Sequence, residues 1–212
     1  MKFSDYTTKN VEEVLKEFKT SERGLSEEEA ANRLKIYGFN EIKMKEAGIL
    51  DILLRQFKSS FVYLLLVAAF IAFSIGEIIN GFLILFFVFI NVFLGFFQEV
   101  RAKKAVLLLR KYLPSNIRVL RNGREEIIDK KFLVPGDIVL LEAGDIIPAD
   151  LRVLEVQNFL VDESILSGES VPILKISQSI QKETKEIFEA KNILFAGTSV
   201  ASGETEGLVI GT

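Results

Sequence analysis

Apolar positions fall into three successive rhythms along the chain. Up to residue 54 they recur at helical spacing. Val11, Val14, Leu15 and Phe18 form one stripe, and a second run carries Leu25, Ala30 and Leu34. Asn10 stands where a cap is needed for the first helix, and Ser26 with Glu29 makes a capping-box pattern for the second, with Leu25 and Ala30 as a staple. Glu27, Glu28 and Glu29 suit the positive end of that helix, and Gly38 suits its stop. The pattern leaves two readings of this region open: a small helical unit packed on something else, or a solvated amphipathic leader.

From 57 to 97 the rhythm disappears into continuous apolar sequence, broken by only two charges, Lys58 and Glu77. It divides into Phe61–Gly76, which Phe57–Ser60 can extend, and Ile78–Phe97, whose strongly polar members are Asn80 and Asn91. About 20 apolar residues cross a bilayer as a helix. Two such stretches on a short turn at Gly76, Glu77 and Asn80 predict a transmembrane hairpin. The Phe, Ile and Val content would favour strands in water, but lipid demands internally satisfied backbone and therefore helices. Arg55 and Lys58 precede the first span, and Arg101, Lys103, Lys104, Arg110 and Lys111 follow the second, while the turn has no basic residue. This asymmetry places both soluble parts on the cytoplasmic side.

Residues 98–113 continue the second span as a stalk ending at Pro114. The period then changes to that of strands. Residues 117–121 and 124–128 flank Asn122-Gly123, a hairpin signal. Further short strands are expected at 138–141, 151–156, 159–161, 193–195, 198–200 and 207–210, as in a sandwich or jelly roll, with residues 177–190 as a polar, partly helical insertion.

Composition sharpens this picture. The chain has 212 residues, 26 basic and 29 acidic, so a net charge of −3 gives no general reason to bind nucleic acid. Cys and His are both absent, which excludes disulfides, thiol nucleophiles, a Ser-His-Asp triad and the commonest metal sites. No Gly-rich phosphate-binding loop is present. Candidate chemistry concentrates at Ser167-Gly168-Glu169-Ser170. Gly168 permits a tight backbone and the serines can bond it locally. Glu169 would project a carboxylate able to orient or deprotonate water. An exposed acidic turn explains the same four residues. Asp137, Asp145 and Asp150 are read as turn-shaping residues, Glu77 as interfacial, and Asn91 as either a bond to a neighbouring helix or a residue of an ion path.

The order of these pieces resembles the N-terminal part of a cation-transporting P-type ATPase, over nearly the whole chain. Gly24–Ala30 followed by Tyr37-Gly38-Phe39-Asn40-Glu41 resembles the family's cation-ATPase N-terminal region. The hairpin, ending in Gly95-Phe96-Phe97-Gln98-Glu99, resembles its first two membrane helices. Val134–Val139, Gly144–Asp150, and Val161-Asp162-Glu163-Ser164 leading to Ser167-Gly168-Glu169-Ser170 resemble its actuator domain, with Ser167 in place of the family's usual Thr. Ala196-Gly197-Thr198 and Gly203–Gly207 resemble the domain's last strands.

The resemblance implies an α + β membrane protein: a helical region packing on the actuator over 1–54, the transmembrane hairpin over 55–97, a cytoplasmic stalk over 98–114 and a distorted jelly-roll actuator over 115–212. It implies that Glu169, shaped by Ser167, Gly168 and Ser170, positions the water that hydrolyses an aspartyl phosphate, and that residues 40–56 and 98–115 transmit domain rotation to the membrane helices. It implies Asn91 as a gating residue of the ion path. No cofactor is expected on this chain, while ATP and Mg2+ are implied for the complete pump. The Asp-Lys-Thr-Gly phosphorylation motif is absent from these residues. The expected partners are therefore the lipid bilayer and the remainder of a pump, in cis or as a separate chain, and the sequence reads as a fragment, a truncated product or half of a split pump. The nearest subtype is calcium-transporting, with a proton pump next. A membrane-anchored module without catalysis is the alternative from another class.

Overall fold

A computed structural model of the chain describes residues 2–41, 48–111, 115–169 and 171–212. In chain order the elements are a 3-10 turn at Phe3–Tyr6, α1 (Val11–Glu17), α2 (Glu27–Tyr37), α3 (Ile49–Gln56), α4 (Ser60–Ser74) and α5 (Ile78–Lys111). They are followed by β1 (Asn116–Arg121), β2 (Arg124–Asp129), β3 (Ile138–Glu142), β4 (Asp150–Asp162), a single helical turn α6 (Ser164–Ser167), β5 (Ile173–Leu174), β6 (Ile193–Leu194) and β7 (Ser199–Gly211). They form two compact units, Met1–Ile42 with Ser115–Thr212, and Lys43–Pro114.

The first unit is built on an antiparallel sheet in the order β2-β1-β3-β7-β4-β5, with β6 also paired to β4. Its central strands are buried on both faces. Val139 and Val209 face a core with Val119, Leu133, Leu141, Leu151, Phe159 and Val161. Their neighbours Ile138 and Leu208 face the opposite side, where Tyr6, Val14, Leu15 and Phe18 of the N-terminal segment cover them. Successive strand residues point to opposite faces, so this double burial requires a second layer, and α1 with the preceding 3-10 turn supplies it. Asn10 caps α1 in a reciprocal capping box with Glu13. Ser26 caps α2 by accepting from the Glu29 amide, but the Glu29 carboxylate turns to Arg33 instead of closing the box.

The strands are fewer and longer than the alternating pattern implies. Residues 151–156 and 159–161 belong to one strand, β4, and 199–200 and 207–210 to one strand, β7. Their ladder survives the polar interruptions because the register shifts at bulges, between Gln157 and Leu160 on β4 among others. Asn158 has φ +48 there, opposite Gly203, where a Cβ would meet the Asn158 carbonyl at 2.4 Å. Within the insertion 177–190 the only helical element is a 3-10 turn, Ile187–Glu189.

The second unit holds α3, α4 and α5. Val62 and Leu65 of α4 pack on Val88 and Val92 of α5. Phe73 meets Phe82 edge-on at 5.4 Å. At the other end Gln56 donates to Glu99 at 2.6 Å, and Arg55 lies 3.3 Å from the same carboxylate. The first apolar stretch departs from the sequence expectation: of residues 57–60 only Ser60 belongs to α4, because the chain breaks at 57–59 and α3 meets α4 at 55°. α4 alone has 15 residues, about 22 Å of helix. α5 runs 34 residues without interruption and is mostly exposed, with an apolar stretch long enough to cross a membrane.

Candidate functional site

β4 delivers the chain to the loop through Asp162, whose carboxylate accepts from the Ser164 amide at 2.9 Å. The hydroxyl and amide of Ser164 hold that carboxyl below its usual range. The next residue organises the turn. The Glu163 carbonyl accepts from the amides of Leu166 and Ser167 at 2.9 and 3.0 Å, and from the Ser167 hydroxyl at 3.1 Å. Gly168 ends the turn with φ +77, and its amide donates to the Ser164 carbonyl at 2.8 Å. A Cβ on Gly168 would meet no atom within 4 Å, so the glycine serves the left-handed backbone and not a tight contact. The Ser167 hydroxyl also accepts from the Glu169 amide at 3.2 Å. It thus links the base of the turn to the backbone of Glu169, whose side chain is exposed.

Ser167, Gly168 and Glu169 therefore lie together on one hydrogen-bonded turn. Ser170 lies outside the described residues. Asn91 belongs to the other unit. It is exposed on α5 beside a cavity of about 300 Å³ lined by Phe61, Leu65, Ile84, Phe87, Ile90 and Leu94.

Sequence reasoning missed what lies beneath the turn. The Glu163 side chain points into the protein, 1% exposed, with Lys175 Nζ 2.5 Å from its Oε1; Lys175 is equally buried. Lys175 donates to the Ile193 carbonyl at 2.9 Å, and Phe195 lies 5.6 Å from its ammonium. Burial pushes the Glu163 carboxyl up and the Lys175 ammonium down, and each is partly offset by the other's charge. Nothing local in the sequence signals this pair, because β4 and β5 must first be aligned, Val161 opposite Ile173, to bring the two residues together.

Two of the aspartates read as turn formers do more than that. Asp145 accepts from the Glu142 amide across its turn. Asp150 reaches the Ala196 amide at 2.9 Å. Asp137, fully buried, takes two hydrogen bonds from Arg121 at 2.9 and 2.7 Å and a third from the Val134 amide. Among the described residues no group of three or more acidic side chains converges to hold a metal ion.

The P-type ATPase actuator domain family matches residues 111–212, and the cation transporter/ATPase N-terminus family matches residues 6–72. Similar proteins include a cation-transporting ATPase of Methanocaldococcus jannaschii, 37% identical over 96% of this chain and 24% of its own length. A sodium/potassium exporting P-type ATPase of Saccharomyces cerevisiae is 36% identical over 99% of this chain and 20% of its own. A calcium-transporting ATPase of Bacillus subtilis is 38% identical over 90% and 22%. The chain spans about a quarter or less of each of these relatives.

Proposed function

The chain belongs to the cation-transporting P-type ATPases, carrying their N-terminal and actuator domains, and from that premise we propose that its 163–169 turn hydrolyses the aspartyl phosphate of an ATP-driven cation pump. The observation that carries this reading is the placement of Glu169: an exposed carboxylate on a turn fixed by the Glu163 carbonyl, the Ser167 hydroxyl and the left-handed Gly168. Water attacks phosphorus, the aspartate carboxylate leaves, and the proton of the attacking water passes to Glu169. Ser167 and Gly168 set the height and direction of that carboxylate. In this reading ATP with Mg2+ supplies the phosphoryl group elsewhere in the pump.

The second unit is the membrane anchor in this reading. α5 and α4 pack as a hairpin, and the exposed apolar surfaces of Phe70, Ile79 and Phe82 meet lipid or further membrane helices. α4 is short of the roughly 30 Å hydrocarbon core. The bent α3, with Ile49, Leu50, Leu53 and Leu54 exposed, completes the crossing at the interface. The soluble regions lie in the cytoplasm, the β unit adopts the actuator's distorted jelly roll, and its rotation pulls on the hairpin through residues 40–56 and 98–115. Asn91, exposed on an apolar helix, faces the ion path or a neighbouring helix. The transported ion is calcium or a related cation, a reading supported by likeness to the calcium-transporting relative; a proton is the second choice.

The test is phosphoenzyme decay in a pump assembled from this chain and the phosphorylation, nucleotide-binding and later membrane parts of a relative. Glu169→Gln slows decay by about 100-fold or more while leaving phosphorylation by ATP intact. Unchanged decay removes the role given to Glu169.

A further inference from the structure

Every described side chain from 164 to 174 is exposed or only half-buried, so no apolar residue nails the Glu169 turn to the protein. Its side-chain anchorage lies at its two ends. Glu163 supplies the carbonyl from which the turn hangs, and Lys175 follows directly on β5, where the chain rejoins the sheet. Their side chains meet beneath the turn as a buried ion pair, with Oε1 and Nζ 2.5 Å apart. The Lys175 amide donates to the Phe159 carbonyl at 2.9 Å, tying the return strand to β4. A buried ion pair is a poor source of net stability, because desolvating both charges offsets their attraction. What it does supply is a fixed distance between the chain segments that carry it.

We infer that the Glu163–Lys175 pair is a positioning device: it clamps the two ends of the 164–174 segment and so sets the place of the Glu169 carboxylate. The inference rests on the reading of Glu169 as the water-positioning group. Removing either charge frees the base of the turn, and the turn then samples positions from which Glu169 cannot align a water. Neither side chain is within reach of solvent at the turn's tip, so both act through Glu169 and not on the phosphate.

Two measurements test this. The first is residue-resolved amide exchange on the 212-residue chain in detergent micelles, comparing wild type with Glu163→Gln, Lys175→Met and the double variant. The amides of Leu166, Ser167 and Gly168 are expected to exchange about tenfold faster in each, while those of Val153 and Val209 in the sheet keep their protection. If a single variant fails to fold, the double variant, which leaves no unpaired charge, carries the comparison. Wild-type exchange at the turn in the double variant overturns the inference, as does equal loss of protection in turn and sheet.

The second is phosphoenzyme turnover in the assembled pump. Glu163→Gln and Lys175→Met are expected to slow decay by about tenfold with phosphorylation by ATP unchanged, a split that general destabilisation does not produce. Wild-type decay in these variants, in a pump where Glu169→Gln does slow it, overturns the positioning role and leaves the role of Glu169 standing. If Glu169→Gln has no effect, the role of Glu169 falls, and the exchange measurement still decides whether the pair orders the turn.

Discussion

Asn192 donates its side-chain amide to the carbonyl of Thr7 at 2.8 Å, joining two points 185 residues apart in sequence. Beside it, Arg152 donates to the carbonyls of Tyr6 at 3.2 Å, Lys9 at 3.0 Å and Ser177 at 2.9 Å, and also to that of Val153. Arg152 is fully buried, and burial pushes its pKa down to about 10, so it stays charged at neutral pH with carbonyl oxygens as its acceptors. The N-terminal segment is thereby hydrogen-bonded to the sheet as well as packed on it, and it covers Ile138 and Leu208.

Arg152→Met is therefore expected to strip three long-range carbonyls of their donor and to cost about 2–4 kcal/mol of stability. The loss should be local first. Limited proteolysis should cut within residues 2–20 before it cuts the sheet, and a variant whose N-terminal segment stays as resistant as wild type would show that apolar packing alone holds it.

Asp137 makes the corresponding prediction for the β1–β3 side. Its two bonds to Arg121 and its bond from the Val134 amide are all buried. Asp137→Asn keeps the shape and removes the charge, leaving Arg121 beside a neutral group, at an expected cost of about 3–5 kcal/mol. Denaturant unfolding measures it. A cost below about 1 kcal/mol would mean that Asp137 acts only as the turn former that its Gly136-Asp137 context suggests.

These cases show which parts of the molecule were legible in the sequence. Asn10 as a helix cap and Asn122-Gly123 as a hairpin turn rest on neighbours within four residues, and the structure has both. The Ser167-Gly168-Glu169 turn was legible for the same reason. The Glu163–Lys175, Arg121–Asp137 and Arg152 contacts depend on which strands lie side by side, and no local pattern encodes that. The fusion of short strands into β4 and β7 was hidden because Gln157, Asn158, Ser202 and Gly203 interrupt the apolar alternation, whereas in the sheet they lie at irregularities in register that preserve the ladder. The break between α3 and α4 falls at Phe57-Lys58-Ser59, where neither Gly nor Pro stands to mark a helix stop.

Glu206 gives a prediction about pH. It pairs across the sheet with Glu155, and burial, then Glu155, Glu125 and Glu22, raise its pKa above the usual glutamate range. A raised carboxyl favours folding when protonated, so this contribution is present at acid pH and is lost as pH rises through the folded-state value. Glu206→Gln should raise stability slightly at neutral pH, by well under 1 kcal/mol because the site is partly solvated, and be seen as a small rise in melting temperature. The gain should vanish in acid. An equal gain at all pH values would mean that repulsion is not the cause.

Gly95 of α5 leaves room for the Gln56 side chain of α3. A Cβ there would stand 2.4 Å from Gln56 Oε1, and Gln56 also donates to Glu99. The absence of native cysteine makes this contact measurable. Gln56→Cys with Glu99→Cys should be joined by a short bifunctional thiol reagent in high yield, because the two native side chains already meet between α3 and α5. A yield no higher than that of a cysteine pair at exposed positions on α3 and α5 that do not meet would show that α3 is not held against α5 at this point.

Ser167 separates hydroxyl chemistry from side-chain size. Its oxygen donates to the Glu163 carbonyl and accepts from the Glu169 amide, so one hydroxyl bridges the base and the tip of the turn. Ser167→Thr keeps that bridge and adds a methyl at an exposed position. Phosphoenzyme decay in the assembled pump should then stay within about twofold of wild type. Ser167→Ala removes the bridge without adding bulk, which frees the Glu169 backbone and should slow decay by about tenfold. Fold stability should change by no more than about 1 kcal/mol, because one bond is exposed and the other only part-buried. Equal decay rates for the Thr and Ala variants would show that the hydroxyl is dispensable and that Gly168 alone shapes the turn.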